Sequence, residues 1–507
     1  MTNLAAARRV IALARELGVE DFCVCGGSRN APLVAALGSL AVGRWPLAEA
    51  DSPANGQRPS ANLFSHVDER SAAFFALGRA KLTGRPVAVI TTSGTAAAEL
   101  LPAAVEAHYS GVPLILITAD RPARYRGTGA PQAIEQEAIF GVYAARDVAL
   151  WNGVGPLHIN IEFDEPLIDD DCHPERERGI GVGGRGASDA SARRPPTPIP
   201  RYARDDKPFV ILGGLAAGDH DRVRDFVLRL AAPVYAEPLS GLREDPSIAH
   251  LTITAGERMI ARGEFDGVIR IGNVPALRFW RELDESRRDV PVVSYSRLPF
   301  AGLSRGEVNP LDELPDPTPA AWQLAGDRQL ATEIQRILDD EPQSELAMVR
   351  ELSHTIPHGA RVYLGNSLPI REWDLAATRE ARGFTYEANR GANGIDGQLS
   401  TFFGQCERGR ENVCVIGDLT AIYDANAPWI ASQVDAPFRI VIINNGGGRI
   451  FERVTSLAKV DKKLIVNAHD FRFDHWAAMW GIEDRVTELR PDPDASRRAW
   501  ERYDALW

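Results

Sequence analysis

A chain of 507 residues with 44% hydrophobic and 25% charged side chains is too long for one core, and its ordinary composition predicts about three globular domains. Its net charge of −12 argues against a broad nucleic-acid or anionic-membrane surface, while leaving room for local basic pockets. No apolar run approaches the roughly 20 residues of a membrane span, so membrane insertion is not expected.

Residues 4–17 read as an amphipathic helix with interspersed arginines and no cleavage site, which does not support a signal peptide. Residues 22–25 form a short apolar run of strand length. Its Cys23 and Cys25 lack a second pair at zinc-finger spacing, and five cysteines are too few and too scattered for a disulfide framework. They fill a buried strand in this reading, and the expected compartment is reducing and cytoplasmic. After a polar stretch at 51–60, expected to be a surface loop, residues 62–65 resemble a strand that leads into an apolar helix at 71–78. Runs 86–90 and 113–117 are again strand-like, with a helix expected over 95–109 and closed by Gly111; 158–161 supplies a further strand. This is the rhythm of a parallel sheet covered by helices.

Composition then shifts. Residues 169–207 are rich in Gly, Ser, Pro, Asp and Arg with almost no apolar period, so they read as a linker. A second α/β segment carries the strand-like runs 209–212 and 267–271. Its Gly213-Gly214 turn lacks the full dinucleotide fingerprint and the acidic partner, so no cofactor is assigned there. Residues 315–319 mark another linker, and the third segment holds buried strands at 412–416 and 438–443. No 20–50-residue repeat is evident. The fold class is α/β with three domains of parallel sheet flanked by helices, bounded at 1–170, 208–342 and 343–507 with 171–207 as linker.

Two stretches carry chemistry. The third-segment strands end in Gly417-Asp418-Leu419 and, 27 positions after Asp418, at Asn445. Asp418 and Asn445 would stand at the carboxyl edge of one sheet, where ligands bind in open α/β folds. A hard cation wants such oxygen donors and usually keeps a phosphate-bearing partner. Gly446-Gly447-Gly448 lets the backbone approach a diphosphate. Each piece alone also fits a structural turn. The other stretch is His66-Val67-Asp68-Glu69-Arg70, where a strand gives way to a helix whose first turn is crowded by apolar groups. Desolvation there would raise the Glu69 pKa toward the working range of a general acid-base. The plainer reading is a carboxylate favouring the helix dipole.

Taken together, the spacing resembles the thiamine-diphosphate signature, and longer motifs sharpen the likeness. Gly26-Gly27-Ser28-Arg29-Asn30-Ala31-Pro32-Leu33, Thr92-Ser93-Gly94-Thr95-Ala96, Thr118-Ala119-Asp120-Arg121-Pro122, Gly365-Asn366-Ser367-Leu368 with Arg371, and Asn389-Arg390-Gly391-Ala392-Asn393-Gly394-Ile395-Asp396-Gly397 resemble the 2-succinyl-5-enolpyruvyl-6-hydroxy-3-cyclohexene-1-carboxylate (SEPHCHC) synthases of menaquinone biosynthesis. The likeness spans both end segments, whereas the middle matches mainly in length and strand pattern. It implies pyrimidine-binding, central and diphosphate-binding domains and a transferase that decarboxylates 2-oxoglutarate and adds the four-carbon fragment to isochorismate. It also implies an active site between two subunits, with a homodimer as minimum unit within a homotetramer.

By the same resemblance Glu69 is catalytic, and Ser28, Arg29, Arg121, Gln132, Arg278, Ser367, Arg371 and Arg390 bind substrate. Glu69, Ile395, Gly417, Asp418, Thr420, Asn445, Gly447 and Ile450 would hold thiamine diphosphate, with Asp418, Asn445 and the Gly447 carbonyl on Mg²⁺ or Mn²⁺. Arginine suits two dicarboxylate substrates because its planar fork pairs bidentately and stays charged. Ser367 and Arg371 fall on one face if a helix starts near Asn366, with Pro369 tolerated in its first turn. Three departures stand out. Pro131 replaces a common Asn, Arg278 falls where Lys is common, and Arg449 replaces a small or neutral residue. Competing readings are another thiamine-diphosphate-dependent 2-oxoacid decarboxylase or carboligase, and a non-catalytic homologue, which would be expected to lose Glu69 or Asp418.

Overall fold

Apolar runs buried on both faces build three parallel five-stranded sheets. The computed structural model describes residues 1–38, 61–168, 207–454, 457 and 459–507. The expected surface loop at 51–60 and all but the last residue of the 171–207 linker lie outside the described residues.

The first sheet joins β1 (Asp21–Cys25), β2 (Asn62–His66), β3 (Val87–Thr91), β4 (Leu114–Asp120) and β5 (Leu157–Glu162) in the order β2-β1-β3-β4-β5. The second holds β6 (Pro208–Leu212), β7 (Val234–Ala236), β8 (Gly267–Ile271), β9 (Val292–Ser296) and β10 (Val308–Pro310) as β10-β9-β8-β6-β7. The third holds β11 (Arg361–Leu364), β12 (Thr385–Glu387), β13 (Asn412–Gly417), β14 (Phe438–Ile443) and β15 (Val486–Leu489) as β12-β11-β13-β14-β15. The α/β expectation therefore holds, with one sheet for each of the three segments.

Alternation along the strands divides the core. Phe22, Val24, Ala88, Ile90, Ile115 and Ile117 pack beneath helices Asn3–Glu16 and Ala31–Gly38. Their neighbours Cys23, Cys25, Val87, Val89, Leu114 and Leu116 face the other way, into a core shared with Cys414, Ile416, Ile440 and Ile442 of the third sheet. The two end segments thus share one hydrophobic core. Its centre is a close crossing of helices Glu69–Thr83 and Gln398–Gln405. A Cβ on Gly78 would lie 2.1 Å from the Thr401 carbonyl oxygen, and one on Gly404 2.1 Å from that of Phe75. Only glycine fits at either position.

The helix expected over 95–109 is divided into Thr95–Ala98 and Leu101–Ser110. Pro102 stands in the first turn of the second piece, and without an N–H it cannot continue the ladder from the first. In the middle segment, a Cβ on Gly213 would lie 2.2 Å from the Asn273 carbonyl oxygen. That glycine is needed for packing between two loops.

Candidate active site

Every chemistry-bearing motif lies at the carboxyl edge of a sheet, which is where the strand-to-helix turns point. In the third sheet Arg390 follows β12, Asn366, Ser367 and Arg371 follow β11, Asp418 follows β13, and Asn445 follows β14. Ser367 caps helix Leu368–Ala376 with a φ of 74°, and Pro369 sits in its first turn. The Arg371 guanidinium donates to the Ser367 carbonyl at 2.7 Å. The one-face expectation for this pair is met.

A cavity of about 90 Å³ opens between these turns. It is lined by Ser367, Ile395, Gly417, Asp418, Thr420, Asn445, Gly447 and Ile450 among others, so every cofactor residue expected from the sequence except Glu69 meets here. Asp418 is 2% exposed. Its Oδ2 accepts from the Gly446 and Gly447 backbone N–H groups at 2.8 and 2.9 Å, and its Oδ1 accepts from Leu419 N–H at 2.6 Å. Burial raises the Asp418 pKa, and these donors with His469, whose Nε2 stands 3.3 Å from Oδ2, pull it back. A Cβ on Gly447, whose φ is 133°, would lie 2.6 Å from the Val466 carbonyl oxygen. No side chain can replace that glycine without moving the turn.

Asn445 carries the clearest sign of a missing partner. Its Nδ2 donates to both oxygens of Glu345, at 2.9 and 3.1 Å, while its buried Oδ1 has no hydrogen-bond partner. A buried oxygen left unpaired is costly unless a ligand completes it. With Asp418 Oδ1 and the backbone of the 446–448 turn it forms an oxygen-rich donor set that fits a hard cation carrying a phosphate ligand. Among the described residues no cluster of three or more His, Cys, Asp or Glu is arranged for a metal. One carboxylate, one amide and one carbonyl would therefore leave the remaining positions to phosphate and water.

The wall bearing Ile395 is fixed from four sides. Asn366 Nδ2 donates to the Asn389 and Gly394 carbonyls at 2.8 and 2.7 Å. The Gln398 amide N donates to Gly394 O at 2.7 Å. Buried Asp424 accepts from Gly397 and Leu399 N–H at 2.8 and 2.9 Å. Glu106, from the first segment, accepts from Gly391 and Ala392 N–H at 2.8 and 2.6 Å. Arg390 donates to Asn366 Oδ1 at 2.7 Å and also lines a larger cleft of about 610 Å³ against the middle segment.

The first sheet presents its own set. Glu69 opens helix Glu69–Thr83 behind Asp68, whose side chain caps Ser71 N–H at 2.8 Å. Burial raises the Glu69 pKa, and the like charges of Asp68 and Glu99 add to it against a backbone hydrogen bond. Neighbouring His66 is 6% exposed and pushed down to about 3 by burial. Ser28 is exposed, whereas buried Arg29 turns to the Phe163 carbonyl at 3.0 Å and to Glu165 at 3.2 Å. Arg121 follows β4, with its guanidinium over the Tyr125 ring at 5.6 Å. Gln132 adopts a φ of 55° against Gly94. Arg278 opens helix Arg278–Glu285 of the middle segment, with its guanidinium paired with Glu282 at 3.1 Å and its backbone N–H donating to Glu257 at 2.8 Å.

Within one chain Glu69 is not among the residues that line the Asp418 cavity. Its turn meets the far end of helix Asp418–Tyr423 instead: Arg70 donates to the Tyr423 carbonyl at 3.0 Å, and Asn426 donates to Asp68. Sequence reasoning missed Glu345, Asp424 and Glu106, whose partners are remote in sequence. Glu345 follows the capping Ser344 at a helix start and carries no local mark of its contact with Asn445.

A family model described as thiamine pyrophosphate enzyme, N-terminal TPP binding domain, matches residues 50–139. The chain is 39% identical to a 2-succinyl-5-enolpyruvyl-6-hydroxy-3-cyclohexene-1-carboxylate synthase of Bdellovibrio bacteriovorus, with 100% of both chains covered. It is 36% identical to the enzyme of that name from Akkermansia muciniphila, over 94% of this chain and 90% of the relative. With the Bacillus pumilus enzyme the identity is 32%, over 92% and 86%. By this full-length likeness, joined to three parallel sheets with their polar turns at one edge, the chain belongs to the SEPHCHC synthase family of thiamine-diphosphate enzymes.

Proposed function

We propose that the protein is a SEPHCHC synthase, a transferase that decarboxylates 2-oxoglutarate and joins the four-carbon remainder to isochorismate, releasing CO₂, in menaquinone biosynthesis. The observation that carries this reading is the cavity shared by Asp418, Asn445, Gly447, Ile395 and Thr420, with the buried Asn445 Oδ1 left without a hydrogen-bond partner. Asp418, Asn445 and the Gly447 carbonyl would hold Mg²⁺ or Mn²⁺. Thr420 and the glycine turn receive the diphosphate, and Ile395, Gly417 and Ile450 pack the remainder of the cofactor. Bound there, thiamine diphosphate supplies the electron sink for decarboxylation and carbon–carbon bond formation.

The chain's own groups do the rest. Glu69, kept partly desolvated, holds and returns a proton at the cofactor's aminopyrimidine. Ser28, Arg29, Arg121, Gln132, Ser367, Arg371 and Arg390 orient the substrate carboxylates, with Arg278 at the outer rim. Segments 1–170, 208–342 and 343–507 act as pyrimidine-binding, central and diphosphate-binding domains. Because Glu69 is not among the residues that line the Asp418 cavity of its own chain, a second copy supplies it, and the working unit is at least a homodimer, assembled further to a tetramer. Exposed Val67, Tyr423 and Trp429 around the Glu69 turn are the apolar surface such a partner would cover. The four described cysteines are free and buried, in keeping with a cytoplasmic enzyme.

The test is CO₂ release from 2-oxoglutarate and from pyruvate, each with and without isochorismate. Product formed only from 2-oxoglutarate with isochorismate supports the assignment. Equal turnover of pyruvate would move the protein to another 2-oxoacid carboligase.

A further inference from the structure

The amide of Asn445 can face the cation site in two ways, because its oxygen and nitrogen are nearly equal in size and opposite in function. Only the oxygen can ligate. The Nδ2 group gives its hydrogen bonds to Oε1 and Oε2 of Glu345, at 2.9 and 3.1 Å. Glu345 is 4% exposed and lines the same cavity as Asn445 and Asp418. It is anchored at the first turn of helix Glu345–Thr355, where its backbone N–H donates to Ser496 Oγ at 3.0 Å. Beside it lies Glu372, wholly buried on helix Leu368–Ala376, whose carboxyl is pushed well up by burial and by neighbouring Glu345, so the proton of this pair rests on Glu372.

Both Glu345 oxygens accept from the same Nδ2, and an ionised carboxylate, which only accepts, can pair with the nitrogen of an amide and never with its oxygen. We infer that Glu345 is a positioning residue that selects the amide orientation of Asn445, holding Nδ2 inward and Oδ1 toward the cation. The inference rests on the proposed metal role of Asn445 and extends it to a residue outside the ligand set. A neutral glutamine at 345 accepts and donates equally well, so it leaves both orientations of Asn445 open. Half of that ensemble would present N–H groups to a cation.

The experiment is calorimetric titration of Mg²⁺ into metal-free protein held with excess thiamine diphosphate, for wild type, Glu345→Gln, Asn445→Asp and the double variant. Glu345→Gln should bind Mg²⁺ about twofold more weakly from the lost amide orientation alone, with the melting temperature of the metal-free protein kept. Asn445→Asp alone sets two carboxylates against each other and should also bind weakly. Adding Glu345→Gln to it restores a donor at 345, so the double variant should bind more tightly than Asn445→Asp. Such opposite effects of one substitution report the pairing itself, which a general packing role for Glu345 would not produce. Should Glu345→Gln alone not fold, the comparison of Asn445→Asp with the double variant decides. Wild-type affinity in Glu345→Gln, or a double variant no tighter than Asn445→Asp, overturns the inference. Wild-type protein that takes up neither Mg²⁺ nor the cofactor instead overturns the metal reading beneath it.

Discussion

At the level of single side chains, Glu69 and Asp418 are both acids whose pKa burial raises, yet their surroundings give them different work. Asp418 is tied by three backbone N–H groups within 2.9 Å and cannot move to trade protons. Glu69, at the open start of a helix, has no such cage. Glu69→Gln should therefore retain Mg²⁺–cofactor binding while turnover falls by about 10²- to 10⁴-fold, the usual worth of a positioned acid-base group. Normal turnover in that variant would remove the proton role. Asp418→Ala should do the converse, abolishing metal-dependent retention of the cofactor; an unchanged calorimetric affinity would refute the ligand assignment. The sequence showed these two residues because each ends a recognisable strand or opens a helix. Glu345 stayed hidden because its meaning lies in a contact 100 positions away.

Strands and helices were legible in proportion to their burial. Runs such as 86–90 and 438–443 are apolar because both faces are covered, and they appear as β3 and β14. Edge strands β7, β10 and β12 have three residues each, too few to display a period. The crossing of helices Glu69–Thr83 and Gln398–Gln405 was equally invisible. Gly78 and Gly404 read as ordinary helix-weakening glycines until the opposing carbonyls are seen 2.1 Å from where a Cβ would stand. Gly404→Ala should push the helices apart and destabilise the chain by about 1–3 kcal/mol, the cost of overpacking a core. Gly38→Ala is the matched control, because nothing among the described residues lies within 4 Å of its added methyl; it should be neutral or stabilising by up to about 1 kcal/mol. Equal midpoints in denaturant for the two variants would show that the crossing tolerates a Cβ.

For the whole molecule, two buried histidines weaken the fold in acid, while buried Asp424 and Glu237, raised to about 7, act in the opposite sense. Burial holds His66 down to about 3 and His158 down to about 4. Unfolded histidines protonate near pH 6.5, so below that pH the unfolded chain binds protons that the folded chain refuses. The contribution of these two groups to stability is thus fully present above about pH 6.5 and falls toward pH 4, by on the order of 1 kcal/mol per pH unit for each group. His66→Phe keeps a ring against Phe75 and strands no partner, since His66 Nε2 has none. It should lose less stability than wild type between pH 7 and 5, read from urea midpoints; an equal loss would acquit His66.

The quaternary prediction follows from the separation of the two acids. In a symmetric dimer each site would combine Glu69 of one chain with Asp418 of the other. A mixed dimer of Glu69→Gln and Asp418→Ala chains then has one site with both lesions and one with neither. Random reassortment of equal amounts makes half of the dimers mixed, so activity should return to about a quarter of the wild-type level from two nearly inactive parents. If each chain built its site alone, no mixture could contain an intact one. The assay needs only unfolding, mixing and refolding of the two variants together, against each refolded by itself. A mixture no more active than its parents would place both acids on one chain and remove the case for a site shared between subunits.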